Sequence, residues 1–310
     1  MKAINYTDYK GMKESSLNWE YLCAYQLLPT AMDGTHKVIL LDAMQLSYTY
    51  RVGGMMHNAR SPKRMFSIAV VHECQESACF NSMKIKKNDI LFFDDTNFID
   101  FMSKGKLKAS IVSLPKETTL LNNKLKEANG FFINSQENSL APFLLELFSR
   151  EIKSSEYKDI ESKLKKRILE LLEHKKLQKP KLTSGEKIAL KIREKFYKNM
   201  DIKVDIKALA LEYSISEQTL QNSFKSLFGF TPKIFLRQLK LNHVHYELLE
   251  TSSQLSSVSK IAQKWGFKHM GHFARYYKEL FQETPSATLE RNSESIVGIT
   301  ESCVVRVEEI

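Results

Sequence analysis

The sequence predicts a two-domain α+β protein, with an N-terminal β-barrel or sandwich, flanking helices and a C-terminal all-α domain of two helix-turn-helix units. Three observations support this fold class. The length of 310 residues exceeds what one hydrophobic core usually supports. Short β-type runs fill the first third of the chain. A helical pattern then occurs twice, in residues 206–232 and 258–285, and each copy ends in Thr-Pro.

The composition narrows the class of protein. With 43% hydrophobic and 26% charged residues, the chain is typical of soluble globular domains. No run of eighteen apolar residues is present, and the first residues lack the apolar core of a signal peptide, so we expect no membrane association. The four cysteines lack C-x-x-C spacing, which indicates reduced thiols and a cytoplasmic location: Cys23, Cys74, Cys79 and Cys303.

The charge distribution favours a polyanionic partner for the C-terminal part. The formal net charge is +10. Residues 181–290 contain 17 Lys and Arg against 11 Asp and Glu, whereas the longer stretch 1–150 contains 18 against 15. The excess positive charge therefore lies mainly in and just before the repeated helical pattern, where a nucleic acid would be bound.

The first 120 residues are predicted to be β structure. The runs 37–41, 66–71, 89–93 and 109–114 are rich in β-branched and aromatic residues, and turn signals separate them. Many short strands at this spacing indicate a sandwich or small barrel, which can hold one small ligand. A group of aromatic residues either forms the core, which we favour, or lines a pocket: Tyr48, Tyr50, Phe66, Phe80, Phe92, Phe93 and Phe98.

Nothing in this region predicts an enzyme. His57 and His72 lie fifteen residues apart without a convergent third ligand, so we expect neither a metal site nor a cofactor. We place His72 and the following Glu73 at a surface strand end. No nucleophile motif or phosphate-binding glycine loop is present.

Helical spacing of apolar residues predicts two helices at 137–151 and 156–176. Their apolar stripes either pack on the chain's own β domain or form a homodimer contact with a second copy, and the sequence leaves both open. The basic, apolar-poor stretch that follows contains Pro180 and indicates a linker.

In the repeated region, Asp205, Ser216 and Ser257 are suited to begin helices as N-caps, and Gly229 to end one. Within each second helix the apolar residues recur every three or four positions and should face the core. The residues left outside in the first copy are Gln218, Gln221, Asn222 and Lys225. Those left outside in the second copy are Lys268, His269, Met270, His272 and Arg275.

These two sets differ in the chemistry they offer to DNA. Amide side chains pair with adenine edges, whereas cationic side chains suit phosphate and guanine. We therefore expect the first copy to carry more sequence discrimination and the second more of the salt-dependent affinity. Between the copies, residues 232–249 should form one helix of about 27 Å, at 1.5 Å per residue.

Residues 206–290 resemble the DNA-binding domain of AraC/XylS-family transcription regulators. The residues that carry the resemblance are Leu209, Ala210, Ser216, Leu220, Phe224, Lys225, Phe228, Gly229, Pro232, Phe235, Leu239, Lys240, Leu241, Ile261, Ala262, Gly266, Phe267, Phe273, Lys278, Phe281 and Pro285. Three positions depart from the family pattern: Gly271 replaces a small hydroxyl residue, Tyr277 a phenylalanine and Gln282 a glycine.

The resemblance implies a seven-helix domain that inserts two recognition helices into successive major grooves of promoter DNA, with activation and contact to RNA polymerase as the family tendency. The β region is loosely similar to the cupin-like effector domains of this family. The expected organisation is a cupin-like sensor and dimerisation domain at 1–176, a linker at 177–186, a DNA-binding domain at 187–291 and a tail at 292–310.

Three functions are compatible with this organisation. In the first, a small-molecule effector bound in the β domain modulates a DNA-binding regulator. In the second, a protein partner or self-association controls the same regulator, without a small-molecule pocket. The third is a cupin-type metal enzyme tethered to DNA, which we reject because no ligand set supports it.

Overall fold

The computed structural model describes residues 2–291, apart from 77, 118, 135–137, 175, 180, 201–203 and 252–255. The predicted tail at 292–310 and Pro180 of the predicted linker lie outside the described residues. The chain divides into two compact units, Met1–Leu182 and Thr183–Ile310. Among the described helices, none has both the length and the apolar character needed to cross a bilayer.

The described part of the first unit contains two antiparallel sheets, in agreement with the predicted α+β class. The seven-stranded sheet has the order β1-β3-β4-β11-β6-β9-β12, and the five-stranded sheet the order β2-β5-β10-β7-β8. The strands are β1 Lys2–Tyr6, β2 Glu20–Gln26, β3 Asp33–Leu40, β4 Gln45–Val52, β5 Met55–Arg60, β6 Met65–Cys74, β7 Ala78–Phe80, β8 Met83–Ile85, β9 Asp89–Asp94, β10 Ile99–Ser103, β11 Leu107–Pro115 and β12 Phe132–Asn134.

The central strands of the larger sheet are buried on both faces. In β6, Phe66 and Ile68 belong to the core between this sheet and the helices that cover it (the outer core). Ala69 and Val71 belong to the core between the two sheets (the inner core). Successive side chains of a strand point to opposite faces, so burial on both sides requires an unbroken apolar run. This explains why the sequences of β6 and β9 are continuous apolar runs, without the alternation of apolar and polar residues found in half-exposed strands.

Helices cover the outer face of the seven-stranded sheet. They are α2 Leu120–Ala128, α3 Leu140–Ser149 and α4 Tyr157–His174, while the short α1 Tyr9–Ser15 follows the first strand. Leu144 and Leu164 of the predicted apolar stripes are fully buried in the outer core. Of the two alternatives left open by the sequence, packing on the chain's own sheet is therefore the one observed.

The predicted linker is structured at both ends. Leu177 packs against the outer core of the first unit, and Gln178 forms a two-way backbone bridge with Phe132 of β12. At the other end, Thr183 caps the first helix of the second unit in a capping box with Glu186. Because backbone hydrogen bonds attach Gln178 to the first unit and Thr183 to the first helix of the second unit, the linker between the units is shorter than the predicted 177–186.

The regular secondary structure described in the second unit is helical. Its helices are α5 Ser184–Lys198, α6 Ile206–Glu212, α7 Glu217–Phe228, α8 Pro232–Glu250, α9 Val258–Lys264, α10 Met270–Phe281 and, at residues 285–291, α11. This gives the seven helices implied by the family resemblance.

The repeat in this unit contains three helices rather than two. α5-α6-α7 and α8-α9-α10 are equivalent, because contacts recur at an offset of about fifty-two residues. Lys195 of α5 binds Glu212 at 2.7 Å, while Glu247 of α8 binds Lys264 at 2.9 Å, so the same ion pair occurs with its charges exchanged. The long helix α8 is therefore the first helix of the second copy as well as the connection between the copies.

Candidate nucleic-acid interface and internal cavity

The caps of the first helix-turn-helix fix where its second helix begins and ends. The Ser216 hydroxyl accepts from the Thr219 backbone N–H at 3.0 Å, and Gly229 ends α7 in the left-handed region at φ +78°. Asp205 and Ser257 cap α6 and α9 in the same way. The four predicted caps are thus confirmed, because local side-chain hydrogen bonds and glycine chemistry dictate them.

The outer face of α7 presents the polar residues predicted for the first copy. Gln218, Asn222 and Lys225 are exposed and Gln221 is half-buried. The Gln218 amide nitrogen donates to the Asn222 side-chain oxygen at 2.8 Å. This bond holds two amides on one face of the helix, as pairing with base edges requires, and one of them must change partner when it meets a base.

The second turn is one residue longer than the first. α10 begins at Met270 with His269 as its N-cap residue. Lys268 and His269, which we predicted to lie on the outer face of the helix, therefore precede it. The added residue follows Gly266, which adopts φ +83° at the position where the first copy has Ser214. Exposed groups before a helix N-terminus suit phosphate, since the helix dipole and the free N–H groups favour an anion there.

The face of α10 agrees with the prediction at His272 and Arg275, which are exposed. Met270 does not agree, because its side chain is half-buried and packs against the core of the second copy. Arg275 lies 3.8 Å from Glu279 and its guanidinium lies 5.1 Å from the Tyr276 ring centroid. A Cβ at Gly271 would meet nothing within 4 Å, so this part of the face is open to a partner.

Tyr277 is fully buried, and the structure explains how the second copy accommodates its hydroxyl. The Tyr277 hydroxyl lies 2.6 Å from His245 Nδ1 and donates to Thr288 Oγ1 at 2.9 Å. Thr288 in turn donates to Glu283 at 2.9 Å. Burial raises the pKa of Tyr277, so the phenol stays protonated. The departure from phenylalanine is thus paired with a polar network that joins α8, α10 and α11.

Replacing Tyr277 by phenylalanine should lower the unfolding free energy of the second unit by about 1–2 kcal/mol, because it removes a buried hydroxyl bonded on two sides. Urea unfolding followed by circular dichroism measures this loss. The matched control is Tyr276→Phe, the same change at the adjacent half-buried residue, where we expect less than about 0.5 kcal/mol. Equal losses in the two variants would contradict the role of the network.

A cavity of about 80 Å³ lies between the two sheets of the first unit. Of the predicted aromatic group, Phe80 and Phe93 line it, whereas Phe66 and Phe92 belong to the outer core. The favoured prediction of a core role is thus confirmed for Phe66, Phe80, Phe92 and Phe93, and two of these, Phe80 and Phe93, line the cavity as well. Within the described residues, no three His, Cys, Asp or Glu side chains are arranged to hold a metal.

The cavity contains polar residues that the sequence did not identify. Arg51 of β4, His57 of β5 and His36 of β3 are all buried and line it. The sequence of β4 gives one indication of this site, because side chains alternate along a strand and Thr49 and Arg51 therefore share the face opposite Tyr48. Whether that face pointed inward could be decided only by strand pairing.

His72 corrects a further prediction. It lies inside β6 rather than at a surface strand end, and its Nε2 is 2.8 Å from Ser110 Oγ. Burial, and then the charge of Lys108, lower the pKa of His72 to about 4. The following Glu73 is half-buried and forms ion pairs with Lys106 and Lys108.

Comparison with known proteins identifies the second unit. Residues 209–291 match a family model described as a helix-turn-helix domain. The chain is 33% identical over 108 residues to the XylDLEGF operon transcriptional activator of Pseudomonas putida, covering 35% of this chain and 32% of that protein. The matching segment thus spans about a third of the length of this relative.

Two solved structures are also similar. A probable AraC family transcriptional regulator from Rhodopseudomonas palustris is 30% identical, with a TM-score of 0.32, over 34% of this chain and 97% of that one. The AraC-like transcriptional activator CuxR is 11% identical, with a TM-score of 0.42, over 77% and 94%. Through its two helix-turn-helix units and the sequence matches over this segment, the second unit belongs to the AraC/XylS family.

Proposed function

We propose that the chain is a sequence-specific DNA-binding transcriptional regulator, and an activator rather than a repressor. One observation carries the proposal: two equivalent three-helix units each expose a polar third helix, α7 or α10, whose opposite side is buried. In α7 the buried side includes Leu220 and Phe224, and in α10 it includes Phe273 and Tyr277. A helix held this way by its own core can present a fixed set of side chains to a major groove.

The length of α8 supports the use of both helices on one DNA molecule. Its 19 residues span about 28 Å. Together with the width of the flanking units, this length suits two recognition helices separated by about one DNA turn of 34 Å. We therefore expect an operator with two half-sites spaced by about ten base pairs.

The direct test is selection of bound sequences from a random DNA pool with the whole chain. We expect an enriched motif with two such half-sites. Gln221→Ala and Arg275→Ala should each weaken binding to the selected site at least about tenfold while thermal stability is kept. Lys163→Ala, a matched loss of charge on the exposed side of α4, is the control and should bind normally. If no motif is enriched, or if both variants give wild-type footprints, the proposed recognition surfaces are wrong.

The two copies should differ in how salt affects them. We expect Lys268→Ala and Arg275→Ala each to reduce the slope of log K against log salt by about 1, because each removes a phosphate contact. Gln221→Ala and Asn222→Ala should weaken binding to the selected site at an unchanged slope. Fluorescence anisotropy between about 50 and 200 mM salt measures the slopes. Equal slopes in all four variants would contradict this division of roles.

The activity of the regulator would be controlled by a small molecule held in the cavity of the N-terminal unit. A ligand can shift a population of conformations or dimers only through different affinities for the two states. We accordingly expect a change in DNA affinity when the cavity is filled. RNA polymerase is the partner expected of an activator. The protein would act in the cytoplasm as a homodimer and would have no enzymatic activity.

Control by a protein partner or by self-association is the second candidate, and exposed leucines of the first unit favour it. Leu22 of β2 and Leu40 of β3 are 67% and 52% exposed. Sedimentation of the whole chain separates the candidates. A dimer that Leu22→Ser or Leu40→Ser dissociates, in a protein whose DNA affinity no small molecule alters, would favour the second.

A further inference from the structure

The cavity of the first unit has a charged end that its neighbours do not neutralise. Arg51 lies on β4 between Gly34 of β3 and Leu107 of β11, and its side chain turns into the space between the sheets. It is only 5% exposed, and its Nε has no hydrogen-bond partner among the described residues. No aspartate or glutamate is found among the described residues that line the cavity.

An arginine in this state is unusual. Burying a charge costs several kcal/mol unless an opposite charge or a full set of hydrogen bonds compensates it. Among the described residues the compensating contact is aromatic, since the Arg51 guanidinium carbon lies 4.3 Å from the centroid of the Phe101 ring. A cation–π contact leaves the five N–H donors of the guanidinium available to an acceptor.

Burial keeps His36, His57 and Tyr21, which line the cavity with Arg51, in their neutral forms. Burial, and then the charge of Arg51, hold the pKa of His57 well below its usual value. Burial lowers the pKa of His36 to about 4 and raises the pKa of Tyr21. Arg51 is therefore the single formal charge among the described lining residues. A ligand with one negative charge would balance it.

Hydroxyl groups complete the polar end. Tyr21 donates to Ser16 Oγ at 2.9 Å, and the Tyr6 hydroxyl lies 3.5 Å from Thr49 Oγ1. His57 stacks on Phe101 with its ring centroid at 5.2 Å, and its Nδ1 has no hydrogen-bond partner among the described residues. These groups offer further polar contacts to a planar anion beside the guanidinium.

The opposite end of the cavity is apolar. Val71, Phe80, Leu91, Phe93 and Ile111 line it, and they belong to the inner core or pack against it. The space of about 80 Å³ is several times the roughly 10–15 Å³ that a cavity needs to hold one buried water. The cavity thus has room for a small molecule with one charged end and one apolar end.

We infer that this cavity binds a short-chain monocarboxylate, with the carboxylate paired to the Arg51 guanidinium and the hydrocarbon body against the inner core. The inference rests on the proposed control of this protein by a small molecule in the N-terminal unit and names the chemical class of that molecule. A guanidinium pairs with a carboxylate through two parallel hydrogen bonds, and this geometry is stronger and more specific than that of a neutral donor.

The test uses the whole chain and a series of sodium carboxylates: acetate, butyrate, hexanoate and decanoate. Titration calorimetry should show the tightest binding for butyrate or hexanoate, since acetate leaves the apolar end empty and decanoate exceeds the space. Hexanamide, which has the shape of hexanoate without its charge, should bind at least about tenfold more weakly. Thermal unfolding should show the same order, because a ligand that binds the folded state raises its melting temperature.

Variants locate the site. Arg51→Met should abolish the hexanoate-induced rise in melting temperature and leave the unliganded protein folded, because it removes an uncompensated buried charge. Arg51→Lys keeps the charge but loses the planar guanidinium that forms two parallel hydrogen bonds, so this variant should bind hexanoate more weakly than wild type. The control is Arg60→Gln on β5, the next strand along the chain, where the arginine is paired with Glu20 outside the cavity, and it should bind normally.

The inference is overturned if no acid of the series binds at millimolar concentration, if hexanamide binds as well as hexanoate, or if hexanoate binding persists in Arg51→Met. Because wild-type protein alone distinguishes acid from amide, the result does not depend on how the variants fold. Selection of DNA by the same protein is a separate measurement. Specific DNA binding without carboxylate binding would remove this inference and leave the proposed regulator, whereas the reverse result would remove the regulator alone.

Discussion

Lowering the pH from 7 to 5 should destabilise the first unit by about 4 kcal/mol or more. Burial lowers the pKa of His36 and that of His72 to about 4, and lowers the pKa of His57 in the same direction. In the unfolded chain each histidine titrates near 6.5, so between pH 6.5 and 4 the unfolded state binds more protons than the folded state. Each of His36 and His72 then contributes a loss of about 2 kcal/mol over this interval.

The direction of this stability change and the pH range in which it occurs are characteristic of the histidines. The stability is fully present above pH 6.5 and is lost as the pH falls toward 4. Carboxylates contribute to the pH dependence only at lower pH. Burial opposes the change, but the bonds to Lys116 hold the pKa of Asp94 and that of Asp95 below the usual value. Their contribution to stability is therefore lost only below about pH 4, as they become protonated. A fall in stability between pH 7 and 5 therefore reports the histidines.

Urea unfolding of the whole chain at pH 7, 6 and 5, followed by fluorescence of Trp19 near the inner core, measures the effect. His72→Gln should reduce the pH dependence by about 2 kcal/mol over this interval. His174→Gln, at the exposed end of α4, is the control and should leave it unchanged. Stability that stays constant from pH 7 to 5 would contradict the burial of His36 and His57 and the lowered pKa of His72.

Phe224→Ala should destabilise the second unit by about 3–5 kcal/mol, a cost typical of deleting a buried phenylalanine. Phe224 is fully buried at the centre of the first copy, and its ring centroid lies 5.1 Å from that of Phe228 and about 6 Å from those of Phe196 and Phe235. These rings come from α5, α7 and α8, so the cavity left behind would loosen every helix that positions the α7 face.

Thermal and urea unfolding of the second unit measure the loss, and DNA affinity should fall with the folded fraction. Leu211→Ala removes a large apolar side chain that is 72% exposed on α6, and it should change stability by less than about 0.5 kcal/mol. A small effect of Phe224→Ala, similar to that of Leu211→Ala, would contradict the aromatic core assigned to the first copy.

The sequence by itself determined the helical unit in detail. The caps at Asp205, Ser216 and Ser257 and the ending at Gly229 followed from residues within four positions of one another, as did the helical spacing of the buried side chains. It missed the role of α8, because the ion pair that makes α8 equivalent to α5 has its charges exchanged between the copies. It also extended the outer face of α10 too far toward the N-terminus, since one added residue moves Lys268 and His269 into the turn.

The first unit shows the opposite balance. Its strands could be predicted from their composition, but a run buried on both faces carries no alternation, so the sequence did not indicate which residues point between the sheets. Pairing of strands far apart in the chain decides this. Arg51, His57 and Phe101 lie next to one another only because β4, β5 and β10 occupy facing sheets. Local interactions thus determined the candidate DNA-binding surface, whereas only the tertiary structure formed the cavity and placed an unpaired charge inside it.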